Sequence, residues 1–349
     1  MKCEISKKCH YFFIIILFFI LILNQLNINS LNVIGIQNIK NINSIKKPNK
    51  DDSDKIIYVG KHGDYPTIQA ALNSVLNAAE ARNTSIYVYN GTYAESIRVN
   101  APFKCLKGGI PYANDTDHNG SIINATNTGE SSAVLITGTD NCCFHIDNFV
   151  IRNSCNGQNC GIKIKVNNVN VSNCRISGSY YGIYMADVYS CWIFSNNITN
   201  NKDDGIYSEQ SYSCHFRRNN ISNNGHWGIY LNFLCTNNYI SYNNVSFNLG
   251  GIAIHSSPIN FINFNNIFNN SDSLKDNVGI WIVLCGLVNA KYNWWGASDP
   301  VPYNSLGQEI WLDFSRPCGR TLLNLFKPWK HTQINIYNST SDITTILTP

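Results

Sequence analysis

Two neighbouring carboxylates raise the first question of chemistry. Asp203 and Asp204 run directly into Gly205, and His226 and Trp227 run directly into Gly228. Asp203 and His226 therefore stand two residues ahead of their glycines, and Asp204 and Trp227 one residue ahead. If the glycines mark equivalent points of a repeat, these side chains lie side by side on neighbouring units. Arg217 and Arg218 fall between the two segments. Carboxyls beside an imidazole can exchange protons with a substrate. Glycoside cleavage asks for two carboxyls roughly 5 to 9.5 Å apart, which neighbouring units could supply. The plain alternative is a polar turn before glycine. A calcium site needs a larger set of oxygen ligands, and Asp203-Asp204 is the acidic pair of the repeat region. No metal and no cofactor is expected.

Aromatic residues make a second set. Tyr184, Tyr207 and Tyr230 each follow a glycine by two positions and alternate with Ile183, Ile206 and Ile229. Alternation sends the isoleucines inward and the tyrosines outward. The resulting stripe can stack on sugar rings or be ordinary β surface. Trp294 and Trp295 stand beyond the repeats. They can bury apolar area as a cap or offer a sugar-stacking platform.

The 13 cysteines admit three readings. Two precede the N-terminal apolar run, and the number left is odd, so at least one is unpaired within the chain. Cys191 and Cys214 recur one repeat apart, as stacked buried thiols would. Disulfides are open to an exported chain. A zinc site lacks its usual close Cys-x-x-Cys pair. Asn-x-Ser/Thr sequons recur through the chain, among them Asn197, Asn220 and Asn244.

The elements that must position these residues follow from internal repetition. Gly161-Ile162, Gly182-Ile183, Gly205-Ile206, Gly228-Ile229, Gly251-Ile252 and Gly279-Ile280 are spaced by 21, 23, 23, 23 and 28 residues. A second column, Asn197-Ile198-Thr199, Asn220-Ile221-Ser222 and Asn244-Val245-Ser246, follows each glycine by 15 or 16 residues. Short alternating β-branched runs between Asn, Gly and Ser read as short strands and turns. A period of this length with two or three strands is one coil of a solenoid. The expected fold is all-β, a right-handed parallel β-helix with coils of about 23 residues. Coils stacked about 4.8 Å apart would let turn asparagines form side-chain ladders around an Ile and Val interior.

A solenoid needs capped ends. Pro66–Ala79 reads as one amphipathic capping helix with Ile68, Ala71, Leu72, Val75, Leu76 and Ala79 on one face. Trp294-Trp295 and residues 310–329 can close the other end. Ahead of the helix, Tyr11–Leu23 is an apolar run behind Lys2, Lys7 and Lys8. It reads as a secretory signal or an uncleaved signal-anchor. The organisation expected is 1–30 signal or anchor, 31–55 linker, 56–330 β-helix with caps, and 331–349 C-terminal tail. Charged residues are 14% and the net charge is +4, which gives no electrostatic footprint for nucleic acid.

Asp64–Ala71, followed by Ile86–Glu95 with its Gly91-x-Tyr93-x-Glu95 turn, resembles the start of the pectin-lyase-like superfamily. The Gly-Ile repeats are similar to those of NosD-like periplasmic proteins. Lys291–Pro300, with Asn293-Trp294-Trp295-Gly296, resembles the closing motif of archaeal adhesin-like surface proteins. The resemblance spans roughly residues 56–330. It implies the fold, an extracellular or cell-surface location, and a polysaccharide, surface glycan or cell envelope as partner. It does not select an activity. Polygalacturonase and pectinesterase motifs are absent; Gly225-His226-Trp227-Gly228 only grazes one of them. The leading expectation is a non-catalytic adhesin-like module. The alternatives are a polysaccharide-active enzyme using Asp203, Asp204 and His226, and a NosD-type periplasmic accessory protein.

Overall fold

Short β-branched runs separated by αL-compatible residues fold into stacked coils. The computed structural model describes residues 54–75, 77–112, 120–126, 128–138, 143–153, 159–270, 278–283, 288–295 and the backbone of 309–313. The N-terminal apolar run, most of the linker, the C-terminal tail and Cys142, Cys155, Cys285 and Cys318 lie outside these residues. Among the described residues, no helix is long and apolar enough to cross a membrane.

Strands pair in parallel, each with its equivalent one coil away, in three sheets of ten, eight and nine strands. We call them A, B and C in the order the chain visits them. One coil runs Trp192–Phe194 in sheet A, Asn197–Thr199 in B and Ile206–Glu209 in C; the next runs His215–Arg217, Asn220–Ser222 and Trp227–Asn232. The register is unbroken through the regular coils: Ile183, Ile206, Ile229, Ile252 and Ile280 are successive partners. They are fully buried, as are Ile198, Ile221, Val245 and Ile267 of sheet B. Each such side chain contributes roughly 2 kcal/mol by leaving water.

The corners turn through residues at positive φ, such as Ser195 (57°), Arg218 (56°) and Tyr242 (57°) in one column and Asn200 (56°) and Asn223 (55°) in another. Directly after each of these five comes a buried asparagine. Asn196, Asn219, Asn243, Asn265 and Asn293 line the A-to-B corner, and Asn201, Asn224, Asn248 and Asn270 the B-to-C corner. Within a ladder, Oδ1 of Asn219 accepts from the backbone N and Nδ2 of Asn196 at 3.0 and 3.1 Å. Its own Nδ2 donates to Ile193 O at 2.8 Å and to Asn243 Oδ1 at 3.0 Å. Both amide hydrogens and the carbonyl are thereby satisfied in a dry interior. Cys174 and Cys214 start the ladders of their columns with a backbone N–H only. Cys191 and Cys214 are buried free thiols one coil apart.

The Gly-Ile repeat has a steric cause. A Cβ on Gly205 would lie 2.6 Å from Cγ2 of Ile221 and 2.7 Å from the Gly228 carbonyl oxygen. The chain entering sheet C passes too close to the sheet B interior for any side chain.

The N-terminal cap departs from the single helix expected. Helix α1 spans Ile68–Asn73 and helix α2 spans Ala78–Arg82. The break comes from capping: Ser74 closes the first helix and the Asn77 side chain accepts from Glu80 N to start the second. Ile68, Ala71, Leu72 and Val75 are buried as the helical face requires, but the restart turns Ala79 to solvent and buries Ala81. The Gly91-x-Tyr93-x-Glu95 turn serves this cap. Glu95 accepts from Ile68 N and Gln69 N at 2.8 and 3.0 Å, and buried Tyr93 donates to Tyr89 O at 2.9 Å.

Replacing Asn219 by Leu keeps volume but orphans Asn196 N, Asn196 Nδ2 and Ile193 O. At about 1–3 kcal/mol for each of the three groups, the loss should be about 3–9 kcal/mol in urea unfolding. Asn220→Leu removes only half-buried amide bonds to Asn197 and Asn244, which water can replace, and should cost under about 1 kcal/mol.

Candidate functional site

The B-to-C corner is long enough to carry side chains outward before sheet C begins. After the ladder residue Asn201 come Lys202, Asp203, Asp204 and Gly205; one coil on, Asn224 is followed by Gly225, His226, Trp227 and Gly228. His226 N donates to Asp203 O at 3.2 Å, so the corners stack in register. Nδ1 of His226 lies 3.0 Å from Oδ1 of Asp203 and 3.0 Å from Oδ1 of Asp204. Asp204 is buried, with Oδ1 also accepting from Trp227 N at 2.8 Å.

The electrostatics follow from burial and proximity. Burial pushes the Asp204 carboxyl up to about 6, against the pull of His226. Burial also acts on Asp203, but its contacts with His226 and the Tyr180 hydroxyl outweigh it and hold that group below its usual range. Burial alone would lower His226; the two carboxylates overcome it and raise the imidazole to about 10. At neutral pH one imidazolium is shared by two carboxylates. Among the described residues this is the group of acid and imidazole ligand atoms that could converge on a metal ion, all within 4.8 Å of one another. A metal would have to displace the proton that both carboxylates hold on Nδ1.

Tyr184, Tyr207 and Tyr230 do form a column on the outer face of sheet C, half-buried and in register. Tyr184 and Tyr207 are parallel, with centroids 5.5 Å apart, and Tyr207 meets Tyr230 edge-on at 5.4 Å. Trp281 continues the column two coils beyond Tyr230, after Ala253. Trp227 leans over Gly250 to lie parallel to Trp281 at 5.7 Å. A Cβ on Gly250 would come 2.1 Å from the Trp227 ring, so glycine is required beneath it.

Four residues of this face escaped the sequence reading. Glu209, Asn232 and His255 lie two positions after the aromatic column, on the same outer face, and Tyr181 three positions before it. Extending the alternation along each strand would have found the first three. They join the tyrosines in one network. Tyr184 and Tyr207 donate to the two oxygens of Glu209, the second at 3.3 Å. Asn232 Nδ2 donates to the Tyr207 hydroxyl at 2.8 Å, and His255 Nδ1 meets Asn232 Oδ1 at 3.2 Å and the Tyr230 hydroxyl at 3.4 Å.

Other expected residues lie elsewhere. Arg217 belongs to sheet A, where its guanidinium sits 5.1 Å from the Tyr242 ring centroid. It does not join the aspartates, because sheet C and the corner into sheet A lie between them. Trp295 is fully buried and presents no ring face to a ligand, while Trp294 is half-buried against Phe268. A second aromatic row, Trp192, His215, Tyr239 and Phe261, stacks along the outside of sheet A at 4.0–4.9 Å. An open groove of about 720 Å³ on the sheet B side of the acidic corner is lined by Asn200, Lys202, Asn223 and Phe247, with no acid among them.

Residues 132–289 match the family model described as the right handed beta helix region, and the chain is a right-handed parallel β-helix. No curated protein matches its sequence. Among solved structures it is similar to the Dettilon tailspike protein, with a TM-score of 0.47 and 16% identity over 68% of this chain and 55% of that one. It is also similar to DFA-IIIase from Arthrobacter chlorophenolicus A6, at 0.46 and 12% over 65% of this chain and 63% of that one. The pectin methylesterase from Aspergillus niger gives 0.33 and 14% over 68% of this chain and 85% of that one. The chain thus spans less than two thirds of the tailspike and DFA-IIIase chains.

The raised pKa of His226 makes its proton a stabilising ligand of the fold. That contribution is complete below the ordinary value of about 6.5 and is lost as pH rises from there through about 10. Asp204 has the opposite sign: its raised pKa makes the ionised form a burden that is relieved as pH falls through about 6. The melting-temperature advantage of wild type over His226→Gln should therefore be largest near pH 6.5 and shrink towards pH 10.5. A constant difference across that span would mean the imidazole is not charged.

Proposed function

We propose that this β-helix is an exported glycan-binding protein that lays an extended polysaccharide along the outer face of sheet C without cleaving it. The observation that carries the reading is the network Tyr184–Glu209–Tyr207–Asn232–His255–Tyr230. It fixes hydroxyl, carboxylate, amide and imidazole groups from four successive strands beside an aromatic row. A sugar ring has an apolar face and a hydroxyl rim, so it needs aromatic surface with oriented polar groups at its edge. Side chains already held by one another lose little freedom on binding. Because the coils repeat about every 4.8 Å, a chain parallel to the solenoid axis meets the same kind of contact at each step.

The acidic cluster fits binding better than hydrolysis. Its ligand atoms lie within 4.8 Å of one another. One imidazolium already engages both carboxylates, at 3.0 Å each. The Lys-flanked apolar run at Tyr11–Leu23 supports export, and the cell envelope or a surface glycan is then the natural partner.

The test pairs binding with product analysis. Wild type, Asp203→Ala and Tyr207→Ala are incubated with polyuronates and wall polysaccharides, retention is measured, and products are sought by mass spectrometry. Wild type should retain a polymer and release no product, and Tyr207→Ala should weaken retention about tenfold through loss of one ring and two hydrogen bonds. Product made by wild type and lost in Asp203→Ala would instead make the protein a polysaccharide-active enzyme.

A further inference from the structure

Resting on the glycan-binding reading, we propose that the polymer bound by sheet C carries free amino groups, and that its ammonium groups lie between the Asp203–His226–Asp204 cluster and Glu209. Charge is the first ground. Two carboxylates share one imidazolium through contacts of 3.0 Å each, which leaves the cluster one negative charge in excess. Glu209 adds another on the far side of the row; it is bound by two tyrosine hydroxyls and, among the described residues, has no ion-pair partner. Tyr207 and Tyr230 therefore lie between two sources of negative potential.

The rings supply the second ground. Aromatic faces attract ammonium groups through their quadrupole. The protein's own lysines already use this surface: Lys163 Nζ lies 4.7 Å from the Tyr184 centroid, and Lys202 Nζ lies 5.9 Å from that of Tyr180. Lys163 stands directly ahead of Tyr184 at the N-terminal end of the row, and Lys202 stands at the acidic corner beside Asp203. Over Tyr207 and Tyr230, among the described residues, no protein ammonium plays that part, although the carboxylates are there. An amino sugar would place its ammonium against Asp203 or Glu209 and its ring against a tyrosine. A polyuronate would bring carboxylates towards carboxylates, and an N-acetylated sugar would bring no charge.

The full-length protein is titrated calorimetrically, at neutral pH and low salt, with three hexamers: glucosamine, N-acetylglucosamine and galacturonate. The glucosamine hexamer should bind about tenfold or more tightly than either competitor, and its affinity should fall with added salt. The preference should collapse in the Asp203→Asn/Glu209→Gln double variant, whose melting curve establishes that it is folded. Equal or tighter binding of the acetylated or uronate hexamer overturns the inference but leaves sheet C a glycan-binding face. A preference that survives in the folded double variant overturns the role given to the carboxylates. If none of the hexamers, wall polysaccharides and polyuronates binds, the inference and the binding reading fall together.

Discussion

The carbonyl of a buried asparagine side chain is the contact on which this molecule depends. At each corner, Oδ1 accepts both the backbone N–H and the amide N–H of the asparagine one coil before. A corner is where a solenoid is most exposed to failure, since the backbone leaves one sheet and its polar groups lose their strand partners. Water cannot serve there because the corner points inward. An asparagine can, because it offers two donors and an acceptor with two lone pairs, matching the three groups a corner leaves open. The αL residue ahead of each ladder position turns the chain so that the amide faces in. Asparagine richness and low charge, which look like compositional oddities, are the direct expression of this arrangement.

Ladders of this kind forbid slippage. A coil displaced by one residue would break every amide contact at its corners and send its isoleucines outward. Strict register then converts a period in the sequence into columns in space, and columns are what make a face. The outer side of sheet C gains its tyrosine row, its acid and amide row and its acidic corner because each is one position of the repeat. The Gly column adds a constraint of shape: where a Cβ on Gly205 would meet Ile221, the chain must hug sheet B before it opens into sheet C. Asp203, His226 and Trp227 lie just ahead of that constriction and reach the outer surface together, with Asp204 buried beneath them.

Much of this was legible because it is periodic. The glycine spacing predicted the solenoid, and equal offsets from Gly205 and Gly228 placed Asp203 beside His226 and Asp204 beside Trp227, as the register has them. Alternation placed the tyrosines outside. Part of what escaped was not periodic or needed a third dimension. The capping segment looked continuous in apolar pattern, yet Ser74 and Asn77 compete locally for backbone bonds and divide it. Arg217 looked near the aspartates in sequence, but a corner separates the sheets to which they belong. Trp295 is buried as its cap reading asks, and its place among the candidate binding residues falls with that burial. The inward ladder at Asn196 and Asn219 was hidden behind the more regular Asn-Ile-Thr column that follows it, whose own amides face solvent.

The acidic corner is where folding and function separate. Asp204 is buried to about 1% exposure and its carboxyl is pushed up to about 6, so its charge opposes folding. The acceptor it gives to Trp227 N could come from a neutral side chain; on the next coil Gly250 N bonds to the His226 carbonyl with no side chain involved. Nothing in the ladder system asks for a carboxylate at this position, since its column reads Tyr181, Asp204, Trp227 and Gly250. A second acid beside it adds repulsion, and the half-exposed His226 relieves that repulsion for one charge out of two. A fold that satisfies its other corners with amides has therefore kept one with a net charge it does not need for stability. On the glycan-binding reading proposed above, such a charge, set at the edge of an aromatic surface with Glu209 across the row, is kept for what it attracts.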